Sequence, residues 1–179
     1  MTDRNDGLTL FGTLRRGIRT YVPEDIEELR IYLGNIDIRH HLMRQANPSK
    51  ALKDMVTMYE QQLIDLEIDN IEVVQALPIE NESRPLPKTG YYKDAPFAGS
   101  WAERTELVKQ FNQLVTDMCK RNDWKTWQHP EVYLNSFGEL TFDVMEKPKS
   151  VHIAREYYRW DLVKNEPNSK LTKATLALF

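Results

Sequence analysis

Three short apolar runs alternate along the chain with two segments of helical periodicity. The runs cover residues 29–33, 71–77 and 132–134 and are rich in β-branched or aromatic residues, which is typical of strands. Between them, Pro48 begins a segment with apolar residues at helical spacing, and Trp101–Arg121 carries a second one. Strands that alternate with helices predict a βαβαβ order, and therefore a parallel sheet with right-handed crossovers.

The remaining segments have weaker patterns. Residues 136–139 predict a tight turn into a further strand at 140–144, which would form a hairpin. Residues 78–100 hold four prolines and two glycines, so we expect a functional loop, with a linker between two domains as the alternative. Residues 165–179 are polar and then mildly amphipathic, which fits a frayed helix or a docking segment. We expect one α/β domain over residues 1–164 and a tail over 165–179.

Composition narrows the class of protein. The chain has 179 residues, of which 41% are apolar, enough for one sizeable core. The net charge of −3 provides no global field for a nucleic acid or an anionic membrane. Cys119 is the single cysteine, so neither a disulfide framework nor a Cys-rich zinc site is expected. Without a long apolar run or a leader pattern, the sequence predicts a soluble, cytoplasmic protein with no cofactor, and association with a virion is the alternative setting.

A dense polar cluster follows the first predicted strand. It consists of Gly34, Asn35, Asp37, Arg39, His40 and His41. Open α/β sheets bind their ligands at the carboxyl ends of strands, so we expect the chemistry here. In an extended chain Asp37, Arg39 and His41 would share one face, whereas in a helix Asp37 and His41 would meet at i, i+4. Either geometry brings a carboxylate near an imidazole, which suits a catalytic or ligand-binding role. The alternative is an ion pair with a purely structural role.

Other candidate residues are more isolated. Tyr91 and Tyr92 lie in the 78–100 loop, which leaves the same predicted sheet edge as the polar cluster. His152 stands between apolar neighbours, where a buried structural histidine and a functional one are both plausible. His129 precedes a proline and is expected to be a loop residue.

Two further binding chemistries receive little support from the sequence. Asp37, His40, His41 and His152 are of metal-ligating type, but they lack the paired spacing of known sites, so no metal site is predicted. Aromatic and basic residues interleave at 124–127 and 155–160, a pattern that suits single-stranded nucleic acid. A helix that packs its aromatic face while its arginines stay hydrated gives the same pattern, so nucleic acid is not the expected partner.

Three sequence blocks resemble the SGNH (GDSL-like) hydrolase superfamily. They read GNIDIRHH, LPIEN and SVHI, and the likeness extends from about residue 8 to about residue 161. More narrowly, the chain is similar to a branch whose third block reads Gly-Glu-x-Asp-x-Arg-x-His. Gly34, Asp37, Arg39 and His41 match that block, Asn35 stands where its Glu would be, and His152 matches the late histidine. The resemblance implies a three-layer, flavodoxin-like sandwich with a small, mainly parallel sheet.

The resemblance also implies roles for these residues. The reaction would be hydrolysis or transfer at an ester, acyl or glycan-linked group of a small-molecule or glycan-type ligand. His152 would act as general base, and Asn35 with the amides near Gly34 would stabilise an oxyanion. Asp37, Arg39 and His41 would form the orienting network.

Two departures from the family pattern bear on activity. The family's first strand ends in a Gly-Asp-Ser block that supplies the nucleophile, and this block is absent. Lys149 occupies the position of the aspartate that orients the catalytic histidine. Ser100 or Ser150 would have to serve as an unconventional nucleophile, or the serine would have to come from elsewhere.

The missing first strand would leave an apolar sheet edge exposed. A partner protein or a second copy would complete that edge, the true start would lie upstream of Met1, or residues 7–20 would form a covering helix or a replacement edge. A non-enzymatic binding or assembly protein, for instance a phage-type component built on a silenced hydrolase fold, is the alternative function.

Overall fold

A small, open parallel sheet forms the centre of the protein. The computed structural model describes residues 9–83, 85–86, 92–150, 152–154, 157 and 173–177. The strands are β1 (Glu28–Tyr32), β2 (Asn70–Val74), β3 (Lys125–Trp127) and β4 (Lys173–Ala177). Their order across the sheet is β3-β2-β1-β4, and all neighbouring pairs are parallel. The predicted α/β class and parallel sheet are therefore confirmed.

Three α-helices accompany the sheet in the described residues: α1 (Leu10–Arg16), α2 (Pro48–Ile64) and α3 (Trp101–Arg121). The Asn47 side chain accepts a hydrogen bond from the first turn of α2, and proline at the first helical position has no N–H to satisfy. Ser100 and Glu103 form a reciprocal capping box at the start of α3. These local signals explain why both longer helices begin where the sequence predicts.

Side chains of β1 and β2 alternate between the two faces of the sheet. The face covered by the helices receives Leu29, Ile31, Ile71 and Val73, each at most 1% exposed. The opposite face receives Tyr32 and Val74, which pack with side chains from the segment 133–153. Each large apolar side chain buried in this way contributes roughly 1.5–3 kcal/mol. Both faces of the sheet are thus covered, as a parallel sheet requires.

The prediction of a third strand at residues 132–134 is wrong. Glu131–Tyr133 forms a 3-10 turn after Pro130, and Val132 is 75% exposed. The third strand is instead β3, which is three residues long and only partly buried, so it lacks the apolar run that would mark it in the sequence. The turn at 136–139 is confirmed by an antiparallel bridge between Leu134 and Leu140. The expected strand at 140–144 is replaced by a 3-10 turn at Phe142–Val144, so the hairpin does not extend beyond the bridge.

The edge of β1 that the sequence leaves open is paired in the structure. β4 lies along β1 with Glu28 opposite Lys173 and Tyr32 opposite Ala177. The described part of the 165–179 segment is therefore a strand of the sheet. Of the two arrangements considered for residues 7–20, a covering helix is observed, because α1 packs against α2. Within the described residues, no helix combines the length and the apolar character needed to cross a bilayer.

Candidate functional site

The order of the strands defines a position for a ligand. β1, β2 and β3 follow one another in one direction across the sheet, and β4 returns to the other side of β1. The boundary between β1 and β4 is therefore a topological switch point, outside which open α/β sheets bind ligands. The polar cluster of residues 34–41 follows β1 directly, so it lies at this end of the sheet.

Gly34 allows the chain to turn sharply as it leaves β1. Its φ of +102° is rarely adopted by residues with a side chain, and an added Cβ would stand 2.8 Å from Cζ of Phe111. Both the backbone conformation and the contact with α3 therefore require glycine.

The polar cluster is helical, so the extended arrangement of Asp37, Arg39 and His41 on one face is wrong. Asp37–His41 forms a π-helical turn, preceded by a hydrogen bond from the N–H of Ile38 to the carbonyl of Gly34. Turns of this type are rare and occur frequently at functional sites. The polar side chains consequently point in several directions and meet different partners.

Asp37 connects this turn to α1. Its Oδ2 accepts a hydrogen bond from the N–H of Leu10 at 2.7 Å, and its Oδ1 accepts one from Phe11 at 3.1 Å. Burial raises the pKa of Asp37, and the two amide donors and the charge of His41 oppose that rise. The carboxylate therefore caps a helix that lies more than twenty residues earlier in the sequence.

Arg39 connects the turn to the chain that follows β2. Its Nε donates to Oε2 of Glu80 at 2.7 Å, and its Nη2 donates to the carbonyl of Pro78 at 2.7 Å. The two side chains are 1% and 3% exposed. A buried pair of this kind is stable only when its remaining hydrogen-bonding groups are satisfied, and the carbonyl bond serves that need.

The side chain of Asn35 connects the turn after β1 to the chain that follows β2. Its Oδ1 accepts hydrogen bonds from the backbone N–H of Leu77 at 2.9 Å and from Nη1 of Arg39 at 3.2 Å. These two donors fix the orientation of the amide, because only its oxygen can accept. Among the described residues no acceptor contacts its Nδ2, which leaves an amide donor available at the carboxyl end of β1.

His40 and His41 belong to an aromatic group formed with the 78–100 loop. The ring of His40 stacks on Tyr92 with centroids 6.3 Å apart, and the ring of His41 lies 5.0 Å from the same tyrosine. The guanidinium of Arg44 sits 4.4 Å above the Tyr92 ring. The structure thus joins three residues predicted for the site, while the Tyr91 prediction falls outside the described residues.

Three arginines hold the loop by its backbone. Arg39 donates to the carbonyl of Pro78, Arg44 to that of Pro96, and Arg104 to those of Ala98 and Gly99. Arg104 is 4% exposed and also pairs with Glu82. The described parts of the loop are therefore attached to the domain at both ends.

His152 comes from the opposite layer and reaches the same end of the sheet. Burial lowers its pKa, and the charges of Glu146, Arg39 and Glu80 act on it as well. A lowered pKa favours the neutral imidazole, which is the form that can accept a proton. His152 therefore lies within electrostatic range of the Arg39–Glu80 pair, although more than seventy residues separate them in the sequence.

The two serines considered as nucleophiles have local structural partners. Ser150 donates its hydroxyl proton to Glu146 at 3.0 Å and accepts a hydrogen bond from the backbone N–H of His152. Ser100 donates to Glu103 at 2.8 Å within the capping box. Both hydroxyls stabilise turns or helix ends in this structure.

His129 is a buried residue that sequence reasoning assigned to a loop. Its Nε2 lies 2.9 Å from the carbonyl oxygen of Gln75 and must therefore carry the proton. Its ring packs against Trp127 and Tyr32, and burial lowers its pKa to about 4. Nδ1 is buried and has no hydrogen-bond partner among the described residues. Its position in a loop agrees with the sequence interpretation, but its burial was not predicted, because β3, which ends two positions before it, has no recognisable apolar run.

Comparisons with known protein families, with curated proteins and with solved structures found no match to this chain. The resemblance to SGNH hydrolases consequently remains a prediction from sequence. Within the described residues, no three metal-ligating side chains converge on one point.

Proposed function

We propose that the protein binds an ester, acyl or glycan-linked group at the carboxyl end of the sheet and hydrolyses or transfers it in the manner of an SGNH-type enzyme. The observation that supports this proposal is that the buried Arg39–Glu80 pair, which links the segments following β1 and β2, also acts electrostatically on His152. A neutral histidine there is a suitable general base.

The chemistry assigns a role to each group at this edge. His152 accepts the proton of a hydroxyl nucleophile as the oxygen attacks the carbonyl carbon, and later returns that proton to the leaving oxygen. The Nδ2 of Asn35 donates a hydrogen bond to the developing oxyanion. Arg39 and Asp37 position this apparatus by fixing Asn35, the 78–100 loop and α1.

Labelling with a fluorophosphonate probe, together with turnover of short p-nitrophenyl esters, tests this proposal. We expect covalent labelling that is lost in His152→Ala and retained in Lys50→Ala, whose side chain is 69% exposed on α2. Labelling that survives in His152→Ala would refute the assignment of the base. Mass spectrometry of the labelled peptide would identify the nucleophile.

A non-enzymatic binding or assembly role is the second candidate. It is favoured by Lys149, which adopts a φ of +66° in the turn before His152 and offers no carboxylate to orient an imidazolium. This candidate predicts no labelling and no turnover, together with a stable complex with a partner or a second copy. Light scattering of the purified chain measures the latter directly.

A further inference from the structure

A separate open groove lies on the layer opposite the helices. It has a volume of about 680 Å³, within the range of roughly 300–1,000 Å³ that is common for ligand clefts. Phe137 and Phe142 provide its apolar walls, and Asn81, Asn135, Glu139 and Asp143 provide most of its polar lining. None of these residues was predicted as a site from the sequence.

The two phenylalanines expose an unusual amount of aromatic surface. Phe137 is 79% exposed and Phe142 is 47% exposed. Phe137 stands at the tip of the tight turn at 136–139, where the Asn135 side chain accepts hydrogen bonds from the backbone N–H groups of Phe137 and Glu139. A rigid turn that presents a large apolar side chain to solvent is typical of a binding surface.

The charged side chains that the described residues contribute to the groove are both acidic. Glu139 and Asp143 are carboxylates, and within the described part of the chain no lysine or arginine lines the groove. The Glu139 carboxylate is held by the side-chain amides of Asn81 at 2.7 Å and Asn135 at 2.9 Å, whereas Asp143 is exposed. Phosphate and other anionic ligands are disfavoured here, and a cation is favoured.

We propose that this groove binds an arginine side chain of a partner protein. A guanidinium is planar, stacks on aromatic rings and pairs with carboxylates through two parallel hydrogen bonds. The groove offers both features together, with phenyl rings for the face of the guanidinium and carboxylates for its edge. Apolar residues next to the arginine would cover the remaining exposed surface of Phe137.

Titration with three short peptides tests the proposal. The probes are acetyl-Leu-Arg-Leu-amide, its lysine analogue and its citrulline analogue, which keeps the shape of arginine without the charge. Backbone NMR of the full chain should show shifts of amides in the 135–143 segment with the arginine peptide. We expect affinity for the citrulline peptide to be at least about tenfold weaker, because its hydrogen bonds to the carboxylates are no longer charge-assisted. The lysine peptide should bind with intermediate affinity, since it keeps the charge but not the planar fork.

Substitutions in and outside the groove test whether the arginine peptide binds there. Asp143→Asn and Phe137→Ala should each weaken binding of the arginine peptide, and Val132→Ala, which changes an exposed apolar side chain outside the groove lining, should not. Raising the salt concentration should weaken binding as well. Equal affinity for the arginine and citrulline peptides would overturn the proposal, as would the absence of shifts. Binding of neutral cellotetraose to the same amides without any peptide effect would assign the groove to a glycan instead.

Discussion

The guanidinium of Arg39 donates a hydrogen bond to the carboxylate of Glu80 in a setting where both side chains are almost entirely buried. This pair connects the turn after β1 to the chain after β2, and the charges of both residues act on His152. The architecture of the candidate site therefore depends on a charge pair that has little access to water.

Arg39→Lys should destabilise the protein strongly. A lysine cannot reproduce the fork that contacts Glu80 and the loop carbonyls, so the hydrogen bonds from Nε to Glu80 and from Nη2 to Pro78 would be lost. Breaking a buried pair in this way costs about 3–5 kcal/mol. Urea denaturation measures the loss, with Arg121→Ala as the matched control, because that arginine is 58% exposed and its pair with Glu60 should contribute at most about 1 kcal/mol. Equal effects in the two variants would contradict the structural role of Arg39.

Gly34→Ala should be more costly than Gly17→Ala. Both glycines have positive φ values, +102° and +86°, but only the Cβ at position 34 meets another residue, the ring of Phe111. The difference between the two substitutions therefore isolates the steric contact, which we expect to cost about 1–3 kcal/mol. Thermal or urea unfolding of both variants measures it. If the two variants were equally stable, Phe111 would not pack against Gly34 as described.

Asp37→Asn should loosen α1 while leaving the sheet intact. The amide has one acceptor oxygen, so one of the two N–H groups of Leu10 and Phe11 loses its partner. We expect a loss of about 1–2 kcal/mol. Compared with the parent chain, Asp37→Asn should exchange its α1 amides faster, while exchange at the β1 amides stays the same. Asp54→Asn, at a 61% exposed position on α2, should leave both rates unchanged. Unchanged protection of α1 would show that the carboxylate is not its cap.

His129 should make stability depend on pH. Its folded-state pKa is about 4 and its ordinary value is 6.5, so between these values the unfolded chain binds more protons than the folded one. The stabilisation is complete above pH 6.5 and is lost as the pH falls toward 4. Each unit of difference between the pKa of the folded and of the unfolded state corresponds to about 1.4 kcal/mol. The loss of stability from His129 therefore reaches about 3 kcal/mol.

The control for this effect is His129→Gln, which retains a donor for the Gln75 carbonyl but does not titrate. Its free energy of unfolding should fall less between pH 6.5 and 4 than that of the parent chain. His152 also has a lowered pKa, so replacing it as well should reduce the remaining dependence further. Equal changes in stability over this interval in the parent chain and in His129→Gln would exclude a buried neutral His129.

The sequence predicts the elements whose signals are local. α2 and α3 have capping residues and long apolar periods, and β1 and β2 are buried runs of β-branched residues. β3 could not be found because it is short and half exposed. The segment around Val132 is more apolar and was therefore predicted as the strand, although it is exposed in the structure. A strand of this kind is specified by the neighbour it pairs with, which a single sequence does not reveal.

In the candidate site, too, the sequence predicts the local features but not the contacts between distant segments. The sequence locates the cluster at 34–41, since a glycine and polar side chains follow a buried strand. It does not reveal that Asp37 caps α1 or that Arg39 reaches Glu80, because these contacts join segments far apart in the chain. The groove beside Phe137 was missed for a different reason: its residues carry no motif, and only their exposure in the folded protein distinguishes them.

The arginines that hold the 78–100 loop contact its main chain, at the carbonyls of Pro78, Pro96, Ala98 and Gly99. Every residue type has such a carbonyl, so these attachments do not depend on the identity of the loop side chains. The loop can therefore accumulate substitutions without losing these anchors. Divergent relatives, or a library of engineered variants, could change the surface that this loop presents while the domain beneath it stays the same.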